Sequence, residues 1–116
     1  IQYALLYPER RPMNAPRMDL FSIGQLTFEA PDMETFPGLS LAYRAAREGG
    51  SMPTVFNAAN EMAVKLLLAE KIRFVQIPEI LEMAMNNHRI IANPDLEEIL
   101  ETERQTYELI EREMKL

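Results

Sequence analysis

The chain has 116 residues, of which 47% are hydrophobic and 26% charged, and a formal net charge of -6. That length holds one ordinary domain of roughly 100–200 residues, and the composition excludes a chain disordered throughout and a fibrous repeat. The acidic balance excludes nucleic acid as the default partner, the absence of Cys excludes a disulfide framework and a thiolate nucleophile, and the longest apolar run, Leu66-Leu67-Leu68-Ala69, is far short of the roughly 18 residues that span a membrane.

Ile1 stands where an initiator Met would, and the chain opens inside a pattern, so it is expected to be a piece of something longer. Ile1 to Tyr7 predicts a short helix that stops before Pro8, because the residue preceding proline is pushed out of the α region. Pro8, Pro12 and Pro16 then predict an extended strap. Its Arg10, Arg11 and Arg17 are read as exposed strap residues in preference to an anion site. Leu26, Phe28 and Ala30 alternate with Thr27 and Glu29, the period-two pattern of a half-buried strand. No later segment offers a second strand, so this one is expected to pair outside the chain or weakly with the arm itself.

All four Gly and six of the eight Pro fall in the first 53 residues, which separates an irregular arm from a helical body. Leu39, Ala42, Tyr43 and Ala46 predict one helix face, closed by Gly49-Gly50. A second helix is predicted from about Thr54 to Glu70. It is apolar nearly all round from Met62 to Ala69 except at Lys65, and is expected to be the most buried element. Pro78 opens a third, with Ile77, Leu81, Ala84 and His88 on one face. Asn93 as cap and Pro94 at the first helical position predict a fourth, with a seam of Leu96, Leu100, Glu103, Tyr107, Ile110 and Met114. Asp95 to Leu116 hold eight acids and three bases, so this helix is acidic and solvated.

The expected fold is mainly α: an extended N-terminal arm with one short strand, residues 1–35, followed by a small four-helix bundle, residues 36–116. Its chemistry is sparse. His88 has no nucleophile at readable spacing and reads as a polar tip on an apolar stripe. The Glu-x-x-His pattern of bundle metal sites is missing, as is a phosphate-binding glycine fingerprint. The Met residues read as core filler. Glu103 lies either at a wet edge of the seam or against a buried partner such as a Lys or Arg. The densest feature is Asn57, Asn60, Glu61 and Lys65, a polar line on a greasy helix. Either Asn57 caps that helix with Asn60 at the third position, or the line bonds backbone of the arm or of a neighbouring domain.

The strings Phe36-Pro-Gly-Leu-Ser-Leu-Ala-Tyr-Arg-Ala-Ala-Arg-Glu-Gly-Gly50, Val55-Phe-Asn-Ala-Ala-Asn-Glu-Met-Ala-Val64 and Lys71-Ile-Arg-Phe74 closely resemble the C-terminal region of the 1-deoxy-D-xylulose 5-phosphate reductoisomerases. Leu26-Thr-Phe-Glu-Ala-Pro-Asp32 and the opening Ile1 to Arg10 resemble the segments that precede it. The resemblance runs the whole chain in order. It implies an enzyme of non-mevalonate isoprenoid biosynthesis, in a bacterial cytoplasm or a plastid, that rearranges and reduces its substrate to 2-C-methyl-D-erythritol 4-phosphate with NADPH and Mg, Mn or Co. It also implies a homodimeric parent whose dinucleotide-binding and catalytic domains precede Ile1 and carry the cofactor turn, the metal ligands and the phosphate-binding residues. No catalytic, cofactor-binding or metal-ligating residue is therefore expected in this chain. Asn57, Asn60, Glu61 and Lys65 are expected at an interdomain contact. The alternative reading is a free-standing helical interaction module that docks through its acidic fourth helix.

Overall fold

The computed structural model describes residues 1–115. The chain divides into two units, Ile1–Ala30 and Pro31–Leu116.

In the first unit, helix α1 (Gln2–Leu6) ends before Pro8 as the sequence predicts. The Tyr3 and Tyr7 rings meet edge to face with centroids 5.7 Å apart, and the Arg10 guanidinium lies 4.1 Å over Tyr3. Arg11 is paired with Glu9 at 2.7 Å, both well exposed. A second short helix, α2 (Leu20–Ile23), was not legible from periodicity because it is a single turn. Its signal is the cap, since the Asp19 carboxylate accepts from the Phe21 N–H and the Ser22 hydroxyl. Those bonds hold the Asp19 carboxyl below its usual range. The strand expected at Leu26, Phe28 and Ala30 is not formed, and no strand occurs among the described residues. Alternation alone gives the segment no partner, and a ladder needs one. Leu26 and Phe28 are exposed.

In the second unit, Asp32 accepts from the Glu34 and Thr35 N–H groups in the turn that leads toward α3 (Gly38–Glu48). Gly49, at φ 66°, ends α3 by donating to the Ala45 carbonyl. Helix α4 (Met52–Leu68) begins earlier than predicted because Pro53 sits in its first turn, where its missing N–H costs nothing. A turn of 3₁₀ helix, Phe74–Gln76, leads into α5 (Ile77–Asn86). Helix α6 (Leu96–Met114) starts at Asp95, not at Asn93 and Pro94. Asp95 accepts from the Glu98 N–H while the Glu98 carboxylate accepts from the Asp95 N–H, each at 2.9 Å. That reciprocal pair satisfies two otherwise orphaned donors, which a lone Asn cap would not.

The core is one cluster drawn from Leu41 and Ala45 of α3, Met52 to Leu66 of α4, Ile72, Ile80 to Met85 of α5, and Ile110 of α6. Helix α4 contributes the most buried residues, including Ala58, Ala59 and Ala63, and packs against α3, α5 and α6. It is not buried all round: Val64 and Leu68 are exposed. Two predicted faces are also rotated. On α3 the buried positions are Leu41 and Ala45, while Leu39 and Tyr43 face outward. On α6, Leu96 and Leu100 are 71% and 55% exposed and Thr102 and Thr106 are buried in their place, while Ile110 is buried as the seam predicts. Threonine can occupy a core because its hydroxyl donates to the carbonyl one turn back. Thr102 bonds Glu98 O at 2.7 Å and Thr106 bonds Thr102 O at 2.8 Å, which leaves the methyl groups as an apolar surface.

Candidate functional site

The polar line on α4 does not act as one group. Helix α4 starts at Met52, so Asn57 is an interior residue and the reading of Asn57 as a cap is wrong. Asn57 Nδ2 donates to Glu61 at 3.3 Å, and the Tyr107 hydroxyl of α6 reaches both Glu61 Oε2 at 3.2 Å and Glu103 Oε1 at 3.0 Å. One phenolic proton thus serves two carboxylates. Partial burial, the Glu103 hydrogen bond and the negative charge around it push the Tyr107 pKa up to about 12. Glu103 therefore matches the wet-edge reading and not the buried-partner one. It is half-buried and its partner is a phenol on its own helix, not a Lys or Arg. Lys65 lines a small cleft with Glu61, Tyr107 and Glu111.

Asn60 shares a shallow depression with Glu61 and Lys65 on one side and opens to apolar surface on the other. It borders an apolar groove of about 560 Å³ between the start of α3, α4 and the 3₁₀ turn, lined by Phe36, Phe56, Val64, Phe74 and Val75. Phe36, Val64, Phe74 and Val75 are all exposed, and the Asn60 amide makes no side-chain hydrogen bond among the described residues. The polar line thus splits between an internal network, Asn57 and Glu61 with Tyr107, and a single amide at an open apolar surface.

Periodicity missed a second polar constellation. Ser51 Oγ lies 2.6 Å from His88 Nε2 and accepts the Ile91 N–H at 2.9 Å. His88 is beyond the end of α5 and so is not on the face predicted for it. Ser51 and His88 form a hydroxyl–imidazole pair, but the Ser51 side chain is fully buried and has no access to a substrate. Among the described residues no three His, Cys, Asp or Glu side chains are placed to hold a metal ion. No described helix is long and apolar enough to cross a membrane.

Residues 1–109 match the family described as the DXP reductoisomerase C-terminal domain. The 1-deoxy-D-xylulose 5-phosphate reductoisomerase of Lachnospira eligens is 53% identical over 111 residues, covering 96% of this chain and 29% of its own length. The protein of the same name from Acetivibrio thermocellus is 50% identical over 115 residues, covering 99% of this chain and 30% of its own length. Among solved structures, the 1-deoxy-D-xylulose 5-phosphate reductoisomerase of Zymomonas mobilis in complex with NADPH superposes with a TM-score of 0.87 at 34% identity, over 97% of this chain and 30% of that one. The chain spans about 30% of the length of the relatives it matches.

Proposed function

The chain belongs to the DXP reductoisomerase C-terminal domain family, and from that premise we propose that it is the helical C-terminal part of an NADPH- and divalent-metal-dependent enzyme that converts 1-deoxy-D-xylulose 5-phosphate to 2-C-methyl-D-erythritol 4-phosphate. The observation that carries the reading is a match that runs through nearly all of this chain and under a third of each relative. In this reading the parent is a homodimer of a bacterial cytoplasm or a plastid. The residues before the bundle are the linker arm from its catalytic domain.

The residues present do not fit the cofactor or the metal. Ketone polarisation by Mg, Mn or Co needs convergent oxygen or nitrogen donors, and none are assembled among the described residues. A dinucleotide needs a strand, a glycine turn and a helix N-terminus, and no strand is formed here. No step of the reaction is assigned to this chain. Its role in this reading is structural, and the expected interdomain contact is carried by Asn60. An amide without a side-chain partner on an exposed apolar groove is supplied with both apolar area and a hydrogen bond when another backbone lies against it. Glu61 and Lys65 share a shallow depression with Asn60 and flank that contact, and Asn57 and Tyr107 each bond Glu61.

Replacing the matching C-terminal segment of the Zymomonas mobilis enzyme with this chain tests the reading. The chimera is expected to oxidise NADPH with 1-deoxy-D-xylulose 5-phosphate and Mn, and the 116-residue chain alone is expected not to. A folded, NADPH-binding chimera without turnover would overturn the proposal, as would turnover by the chain alone. Within the same chimera, Asn60→Ala is expected to lower the melting temperature more than it does in the isolated chain. Equal shifts would mean that Asn60 serves only its own helix.

A further inference from the structure

Ser51 stands immediately before α4, the position where a serine ordinarily accepts an N–H of its own helix. It makes no such cap. Its Oγ is turned across the end of the bundle, where it accepts the Ile91 N–H at 2.9 Å and meets His88 Nε2 at 2.6 Å, while its own N–H donates to Ile91 O at 3.0 Å. The backbone approach that allows this is close. A Cβ on Gly50 would lie 2.3 Å from Ile91 O, and Gly50 has φ 53°. The turn between α3 and α4 is thereby fastened to the loop between α5 and α6, segments 40 residues apart.

The proton count fixes the chemistry of the fastening. A serine hydroxyl has one proton to donate. Ile91 N–H takes one of the two lone pairs of Oγ, and His88 Nε2 is the one acceptor within hydrogen-bond reach of the buried hydroxyl proton among the described residues, so every donor of the pair is satisfied only when the imidazole is neutral with its proton on Nδ1. We infer that Ser51 and His88 form an acid-sensitive clasp, closed while the imidazole is neutral and loosened when protonation turns Nε2 into a donor and leaves the buried Ser51 hydroxyl proton without an acceptor.

The imidazole has charged neighbours as well as partial burial. Arg89 adjoins it, and Glu97, Glu98 and Glu101 of α6 line the same depression. Glu98 is engaged with the Asp95 N–H and Glu101 with Arg104. From α3, Arg44 donates to Asn86 at the end of α5, and the first turn of α4 carries no charge. Burial dominates and holds His88 below the ordinary imidazole value of 6.5. The folded chain therefore binds fewer protons than the unfolded chain. The stability contributed by the neutral imidazole is complete above 6.5 and is lost as pH falls through the lower folded value.

His88 is the only histidine in the chain, so its ring resonances need no assignment by mutation. An NMR titration of the 116-residue chain should show a midpoint below 6.5 with the proton on Nδ1 above that midpoint. The hydrogen-exchange protection of the Ile91 amide should fall as the ring protonates, by roughly tenfold for each unit by which the midpoint is depressed. His88→Gln keeps an acceptor without a titrating proton, and its Ile91 protection should be independent of pH across the same range. A midpoint at or above 6.5, a proton on Nε2 in the neutral ring, or Ile91 protection that ignores the titration would overturn the clasp. The wild-type titration decides even if the variant does not fold.

Discussion

The two units carry similar kinds of side chain and treat them differently. Before Pro31, Phe21 and Phe28 are 98% and 88% exposed and no residue is buried; beyond it, Met85 and Ile110 are 1% and 0% exposed. Apolar content does not separate them, but helix length does. Helices α1 and α2 have five and four residues, about one turn each, and present too little apolar face to repay the cost of ordering. Helix α4 has 17 residues, and its small Ala58, Ala59 and Ala63 let three neighbouring helices close on it. A core is a property of repeated spacing, and the first unit has none to repeat.

Substitutions sharpen or break that contrast. The largest effect is expected at Ile110→Ala, which empties a fully enclosed site and should cost about 2–5 kcal/mol in a urea titration. A loss near zero would mean that α6 is not part of the core. Next is a pair of glycines that share a positive φ. Gly50→Ala drives a Cβ into the Ile91 carbonyl and should cost at least ~1–3 kcal/mol. Gly24→Ala, at φ 68° with nothing within 4 Å, should leave the bundle transition within ~0.5 kcal/mol of wild type. Equal effects would show that backbone strain alone, and not the fastened loop, sets the cost. The smallest effect is expected at Phe28→Ala, also within ~0.5 kcal/mol despite the size of the ring removed. A loss comparable to that at Ile110 would show that the first unit buries Phe28 in solution.

The helices of the bundle were largely legible, because Gly49 and Pro78 punctuate them and α4 keeps its apolar spacing. What failed were decisions between two plausible faces. Leu39 and Tyr43 looked like core on α3, and Leu96 and Leu100 on α6, because a hydropathy pattern rates Thr102 and Thr106 as polar and cannot see their hydroxyls satisfied one turn back. The site was less legible than the fold. Tyr107 and Glu61 were each noticed, but their meeting depends on how α6 lies on α4 across 46 residues of sequence. The bond between Ser51 and His88 joins two loops, and loops carry no periodicity from which a pairing could be read.

Helices α4 and α5 each pack against both remaining helices and against each other, whereas α3 and α6 lack a comparable contact with each other. The arrangement is a central pair with two flanks, not a ring of four equals. Perturbations on opposite flanks should therefore combine additively, since independent sites share no partner, while double changes across the α4–α5 seam should show coupling. Each flank is then expected to open against an intact pair without the other, and hydrogen exchange that protects α3 and α6 amides to different extents would show it.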